Sequence, residues 1–279
     1  MDGGLLFIDK GEGVTSRYVD NALQRLCHIR KVGHLGTLDP FATGLLIVAV
    51  GEATKYLPFL PDEEKTYVAT LRLGVATDSG DKTGTVIEEV GVPEIQKEQI
   101  EAVLRGFLGK STQIPPMTSA IKRDGTPLYE LARKGISIER EPRPIEIYDI
   151  GLLSFDGKEI TFETTVSKGT YIRVLGEDIA KKLGTVGHLV SLRRTRVGDI
   201  GLDGATRLEG IGDPVFLPPH EYVPYPRIEL DGDRLKKARN GVKLPLDTDA
   251  PRVLVLGEGN PIAIYEREDG GLYRCLRGL

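Results

Sequence analysis

Cysteine is scarce in this chain. Of 279 residues only Cys27 and Cys275 are cysteines, too few for a disulfide framework and at no metal-ligand spacing. The four histidines are scattered, so they form no metal cluster with the cysteines either. Positive charge is not in excess, since 37 Lys and Arg against 41 Asp and Glu leave a net charge of -4. Long apolar runs are missing as well. The longest, residues 45–50, falls far short of the roughly 18 apolar residues of a membrane helix. The opening MDGGLLFIDK has acidic flanks and a brief apolar patch, so neither a secretory signal nor a myristoylation start is expected. These absences predict a protein of the reducing cytoplasm, with no membrane association.

A negative net charge argues mildly against a nucleic-acid partner, because phosphate neutralisation rests on basic surface. Distribution matters more than the sum. Basic residues cluster at 25–31, 122–123, 133–134, 140–143, 193–196 and 234–243, and acids at 62–64, 88–89 and 94–101. Composition leaves two readings open, a bipolar molecule with one basic face or ordinary solvated charge.

Length and a hydrophobic fraction of 40% suit one large domain or a main domain with a smaller one. Residues 5–9 read as a short buried strand. Thr15 or Ser16 is placed to cap a helix with Val19, Ala22, Leu23 and Leu26 at helical spacing. A glycine-rich loop with Gly33, Gly36, Pro40 and Gly44 leads into the apolar run 45–50, expected to be a central strand. Residues 65–74 alternate like a strand, and 93–108 carry Ile100, Val103, Leu104, Phe107 and Leu108 as an amphipathic helix. A hairpin turning at Asp156-Gly157 is expected over 143–167, then a helix over 172–183 and a strand over 188–196. This irregular order predicts an α+β fold with a mixed sheet. Five prolines make 213–226 a linker, which divides a unit of residues 1–212 from a small, mostly β module of 227–279 with a basic helix over 233–240.

The segment most suited to chemistry is GHLGTLDPFATG, residues 33–44. Its glycines permit a tight turn, Pro40 biases Asp39 towards an extended backbone that presents the carboxylate, and an apolar strand supplies a rigid base. A plain turn in which Asp39 bonds local amides competes with that reading.

GHLGTLDPFATGLLIVAVGEATKYL resembles the catalytic segment of the TruB family of tRNA pseudouridine synthases. KTYVATLRLGVATDSGDKTG, QIPPMTSAIKRDGTPLYELARKG, SKGTYIRVLGEDIAKKLG and SLRRTRVG resemble the family's later segments, in its order. The resemblance implies the pseudouridine synthase fold, with a mixed, largely antiparallel central sheet, flanking helices and a PUA-like C-terminal module. It implies isomerisation of uridine 55 in the T-loop of tRNA by base flipping, glycosidic bond cleavage and rejoining at C5. Asp39 would be catalytic, Tyr67 would stack on the uracil, and Arg173 would pair with the carboxylate and keep it ionised. Leu192 and Tyr171 would wall the pocket, and His34 would contact the displaced RNA. Asp81 matches a position near the cleft. Lys10, Arg30, Lys31, Lys122, Arg193 and Arg194 are the expected RNA-binding cations. Without the resemblance, Tyr67 and Leu192 would read as core and Arg173 as a solvated helix residue.

The implied reaction involves neither redox change nor hydrolysis, so no cofactor or metal is expected. Two departures stand out: Gly11 replaces the family's usual proline in the 9–16 segment, and the C-terminal module is short for a PUA domain. That first segment lacks the Gly-Lys-Ser/Thr ending of a phosphate loop. A stand-alone monomer acting on tRNA with no obligatory protein partner is expected. The alternatives are a guide-RNA-dependent catalytic subunit and an RNA-binding module with incidental catalysis.

Overall fold

The computed structural model describes residues 3–119, 121–123, 125–136 and 138–279. The first strands are β1 (Leu5–Lys10), β2 (Val32–Leu35), β3 (Thr43–Val50), β4 (Glu64–Leu73), β5 (Val75–Thr77), β6 (Val86–Glu89), β7 (Gly109–Gln113), β8 (Lys122–Arg123) and β9 (Thr126–Pro127). They are followed by β10 (Arg143–Phe155), β11 (Glu159–Ser167), β12 (Gly187–Val197), β13 (Ile200–Gly201), β14 (Arg227–Glu229), β15 (Leu244–Pro245), β16 (Arg252–Gly257), β17 (Asn260–Arg267) and β18 (Leu272–Gly278). The α-helices are α1 (Ser16–Cys27), α2 (Lys97–Arg105), α3 (Leu128–Arg133), α4 (Ile172–Lys182) and α5 (Gly232–Arg239).

A nine-stranded sheet carries the larger part, in the order β1-β3-β12-β4-β11-β10-β7, with β2 on β3 and β13 on β12. Its neighbours run antiparallel except β3 and β12, which meet in parallel at Arg193 and Arg194 opposite Thr43 and Gly44. Strand β3 is covered on both faces and therefore reads as an uninterrupted apolar run rather than an alternating one. Strand β4 alternates instead, burying Lys65, Tyr67, Ala69, Leu71 and Leu73 on one face. On its other face Thr66 and Thr70 pair hydroxyls with Thr165 and Thr161 of β11, at 3.0 and 3.1 Å. Helix α4 lays Ile172, Leu175, Ile179 and Ala180 against β12 and β4. The fold is thus the expected mixed, largely antiparallel α+β arrangement.

Several boundaries differ from the sequence expectations. The loop expected from Gly33 begins as β2, paired to β3 from Val32↔Val50 to Leu35↔Ile47. Helix α2 is shorter than 93–108, because Gln96 and Gln99 close a reciprocal cap at its start and Gly106 ends it. Leu108 is left exposed. Helix α1 is capped by Thr15, whose Oγ1 accepts from Tyr18 N at 3.0 Å. Its buried face is Ser16, Val19, Asp20 and Leu23, so Leu26 faces solvent instead of the core.

The C-terminal sheet runs β14-β16-β17-β18-β15, with α5 packed on it through Leu235 and Ala238. Residues 213–226 form a packed strap. Leu217 exchanges both backbone hydrogen bonds with Leu5 at 2.9 Å, and Tyr222 sets its ring edge-on to Phe7 at 5.1 Å. Val223 then joins Tyr56 of the larger part to Leu254 and Ile264 of the C-terminal sheet. Among the described residues no helix is long and apolar enough to cross a membrane.

The parallel junction of β3 and β12 depends on Gly44. Its φ is +99°, and a Cβ there would lie 2.2 Å from the Arg194 carbonyl oxygen. Gly13 has a similar φ of +83° but open space around it. Gly44→Ala is therefore expected to destabilise the protein by about 3 kcal/mol or more, and Gly13→Ala by about 1 kcal/mol, measured by urea unfolding. Equal losses would show that backbone strain alone, without the close approach, sets the requirement.

Candidate active site

The loop between β2 and β3 is fastened from three sides, mostly through backbone groups. From α1, Ser16 Oγ accepts from Leu38 N at 2.9 Å and lies 3.2 Å from Leu38 O, to which it donates. From β1, Lys10 Nζ donates to the carbonyls of Gly11, Val14 and Pro40 at 2.9, 2.8 and 3.3 Å. From β12, Arg194 Nε donates to Leu45 O at 2.8 Å and Nη2 to Gly36 O at 2.9 Å. Inside the loop, Ala42 N closes a turn on Asp39 O at 3.1 Å, and Gly13 N donates to Pro40 O at 2.8 Å. These bonds fix a loop whose tip, Asp39 and the exposed Pro40, has no buried apolar side chain to anchor it. The Asp39 carboxyl is left about a third exposed, at 35%.

Arg173, in the first turn of α4, is 3% exposed and faces that carboxyl. Its Nε lies 2.9 Å from Asp39 Oδ2 and Nη2 lies 3.4 Å from Oδ1, a skewed ion pair in which Nε is poorly aligned to donate. The guanidinium is oriented by other partners: Nη1 donates to Ser79 O and Thr118 Oγ1, and Nη2 to Thr118 O. A second carboxylate, Asp81, stands 3.7 Å from Nε and is itself buried. Asp81 Oδ1 accepts from Thr83 N and Oγ1, which fixes the turn between β5 and β6. Burial pushes the Asp39 carboxyl above its ordinary value; Arg173 opposes this, Asp81 reinforces it, and Lys10 opposes it. Arg173 lowers the group, as the expected pairing implies, but offsets only part of the cost of desolvation.

Beside Asp39 lies a cleft of about 250 Å³ whose walls include Tyr67, Leu192, Tyr171 and Arg173. Tyr67 and Leu192 share one sheet face, since Tyr67 pairs with Arg194 and Ala69 with Leu192 in the β4·β12 register. Burial raises the Tyr67 phenol, and the Arg194 guanidinium pulls against that rise. Arg194 Nη1 lines the same cleft and has no hydrogen-bond partner among the described residues. Tyr171 is held at the start of α4 by Gln113, which accepts from its N at 2.8 Å and donates to its O at 3.1 Å. A cation-rich lip completes the cleft, where Lys65 and Lys168 both reach Asp62 at 2.7 and 2.6 Å.

Asp39, Tyr67, Tyr171, Arg173 and Leu192 are thus brought to one cleft, although they come from four separate stretches of chain. His34 is not among its lining residues; it sits on β2 and turns towards α1 and Thr37. Two of the expected RNA-binding cations are corrected. Lys10 is 1% exposed and Arg194 0%, so both are internal struts of the loop rather than surface charges. Burial lowers the Lys10 ammonium to about 8. Arg193 is half-buried in a two-bond pair with Asp9, at 2.9 Å each. Arg30 and Lys31 are exposed, with Lys31 paired to Glu52 at 2.9 Å. Lys122 falls in β8, and its side chain lies outside the described residues. Sequence reasoning passed over Thr118, Ser79 and Asp62. Only their places inside QIPPMTSA, ATDSGD and the turn before KTY could have drawn attention to them.

The family described as TruB family pseudouridylate synthase (N terminal domain) matches residues 24–172. The chain is 51% identical over 208 residues to tRNA pseudouridine synthase B of Hydrogenovibrio crunogenus, covering 75% of this chain and 69% of that protein. It is 46% identical over 279 residues to tRNA pseudouridine synthase B of Dechloromonas aromatica, covering 96% of this chain and 93% of the relative. Among solved structures, the fold is similar to a chain of a Cbf5–Nop10–Gar1 complex, with a TM-score of 0.72 at 24% identity over 96% of this chain and 79% of that one. At that identity the likeness concerns the fold alone.

Because Asp81 raises the Asp39 carboxyl and Arg173 lowers it, opposite shifts are expected when each is neutralised. Followed by carboxyl carbon NMR, Asp39 should titrate at lower pH in Asp81→Asn and at higher pH in Arg173→Met. Shifts of the same sign in both variants would mean that local repacking, not charge, controls the group.

Proposed function

We propose that this chain, which belongs to the TruB family of pseudouridylate synthases and is a tRNA pseudouridine synthase, acts on uridine 55 of the T-loop with Asp39 as its catalytic residue. The observation that carries the residue assignment is the Asp39–Arg173 pair, at 2.9 Å, opening into a cleft walled by an aromatic and an aliphatic side chain. In the reaction the N1–C1′ bond of the nucleotide breaks and a C5–C1′ bond forms. The C5 proton leaves and N1 gains one, so the product is an isomer of the substrate. Asp39 stands at the ribose, either as nucleophile or as the charge that stabilises an oxocarbenium-like sugar. The Tyr67 ring and Leu192 sandwich the detached uracil while it turns, and the Tyr67 phenol handles the C5 proton. Tyr171 closes the pocket from the start of α4.

The target uridine lies in a folded loop and must leave its stack to reach Asp39, with His34 taking the vacated place. Arg30, Lys31 and the Lys168 lip supply exposed positive charge for the RNA backbone. The unit of residues 1–212 carries the reaction, 213–226 links it to residues 227–279, and that small module grips the RNA. No cofactor, metal or obligatory protein partner enters this reading, and the protein works as a monomer in the cytoplasm. Relatives named for tRNA that share about half their residues with this chain over most of its length support direct recognition of tRNA rather than guidance by a second RNA.

Single-turnover release of label from tRNA carrying tritium at uracil C5 tests the assignment. Wild-type protein should release label from the T-loop uridine. Asp39→Asn should bind the same tRNA within about twofold and release label on the order of a thousandfold more slowly or not at all. Undiminished release by Asp39→Asn would remove the carboxylate from the chemistry. Affinity should also fall as salt rises from 50 to 200 mM, by about tenfold or more for a few phosphate contacts. A flat response would leave the exposed basic residues without a role in binding.

A further inference from the structure

Helix α1 buries Ser16, Val19, Asp20 and Leu23, the spacing of a single helical face. Three of these fit an interior, and the fourth is a carboxylate 1% exposed. Three positions beyond Leu23, Leu26 of the same helix is 40% exposed, so the helix is seated with a carboxylate inside and a leucine outside. Burying a carboxylate is costly unless its oxygens are occupied. Both oxygens of Asp20 face one group, His34 Nδ1, at 3.0 and 2.9 Å. A nearby cation, Arg17, is 71% exposed and reaches Oδ2 only at 3.4 Å. On the far side of the ring, His34 Nε2 lies 3.3 Å from Thr37 Oγ1, two residues before Asp39.

We propose that Asp20 is a positioning residue for His34, and the inference rests on the reading that His34 occupies the space left by the displaced uridine. A carboxylate only accepts hydrogen bonds, so Nδ1 carries a proton, and in the neutral ring Nε2 is left as the acceptor that faces Thr37 and the RNA. Rotation of an imidazole about its outer torsion is otherwise broad, and a buried two-oxygen partner removes that freedom before RNA arrives. The same helix holds Leu38 through Ser16, so α1 fixes both the intruding side chain and the loop that carries Asp39. Insertion and catalysis are thereby kept in one register from a single rigid element.

Two measurements test this. In the wild-type protein at pH 8, long-range nitrogen NMR of the histidine side chains, with His34 assigned by its loss in His34→Ala, should show Nδ1 protonated. A His34 ring protonated at Nε2 alone would overturn the proposal without any change to Asp20. The second is a double-mutant cycle on single-turnover rate and tRNA affinity. Asp20→Asn should slow turnover about tenfold with affinity within about twofold, and add nothing further in a His34→Ala background. Independent, multiplying losses from the two substitutions would mean that Asp20 serves only the helix, and would overturn the inference. If His34→Ala turns over at the wild-type rate, the role read for His34 itself fails, and the positioning role falls with it. Failure of Asp20→Asn alone to slow turnover, with His34→Ala impaired, sinks only the present inference.

Discussion

A guanidinium that is 3% exposed has to find acceptors inside the protein, and Arg173 finds them on three different segments. Asp39 belongs to the loop after β2, Ser79 and Asp81 to the turn between β5 and β6, and Thr118 to the stretch after β7. Arg173 itself sits on α4, whose other inward residues are apolar and pack on β12 and β4. Removing one partner of a buried charge pair typically costs about 3–5 kcal/mol, because the remaining charge stays buried and uncompensated. The folded positions of those segments are therefore coupled to one another through a single side chain. That coupling makes the position of the Asp39 carboxyl a property of the whole fold rather than of its loop.

Lys10 and Arg194 serve the same loop by a different route. Neither pairs with the Asp39 carboxylate; both donate to backbone carbonyls, which cannot change rotamer. Electrostatic stabilisation by a carboxylate is greatest when its surroundings need not reorganise. Backbone carbonyls held by buried cations provide that stiffness. Among the described residues, the Asp39 oxygens meet no hydrogen-bond donor apart from the Arg173 guanidinium. Against this, the site accepts a cost: Arg194 Nη1, whose charge acts on the neighbouring Tyr67 phenol, is buried with no well-formed hydrogen bond among the described residues. Strain and unsatisfied groups of this kind cluster where a ligand is expected.

The sheet was legible because its signal is local. The β3 run, the alternation in β4 and the Asp156-Gly157 hairpin each declare themselves within about ten residues. The Asp39 loop was legible for the same reason, from glycines and a proline around one acid. What was hidden depends on distant pairing. Nothing local to Lys10 or Arg194 tells a buried strut from a surface charge, since their carbonyl partners lie up to 158 positions away. The seating of α1 was misread because Leu26 suits an apolar face better than Asp20 does. Only the presence of His34 on β2, brought alongside by pairing with β3, reverses that preference. Strand β2 was read as loop because two glycines obscure a strand that exists by its register with β3.

The net charge of -4 also looks different once the cations are sorted by what they touch. Lys10, Arg173 and Arg194 are spent inside, and Arg193 is tied to Asp9. Lys65 is buried against Asp62, while Lys168, on the same acid, remains 58% exposed at the lip of the cleft. In the basic cluster 193–196 only Arg196 is exposed and projects into the outer field. Charges that project outward include Lys168 at the cleft and Arg30 and Lys31 before β2. Within a Debye length of about 8–10 Å, local charges outweigh distant acids on other faces. The acidic total then limits non-specific adhesion without opposing a local contact. An overall negative protein that binds a polyanion is no contradiction, provided that its interior cations build the site and its exposed ones frame it.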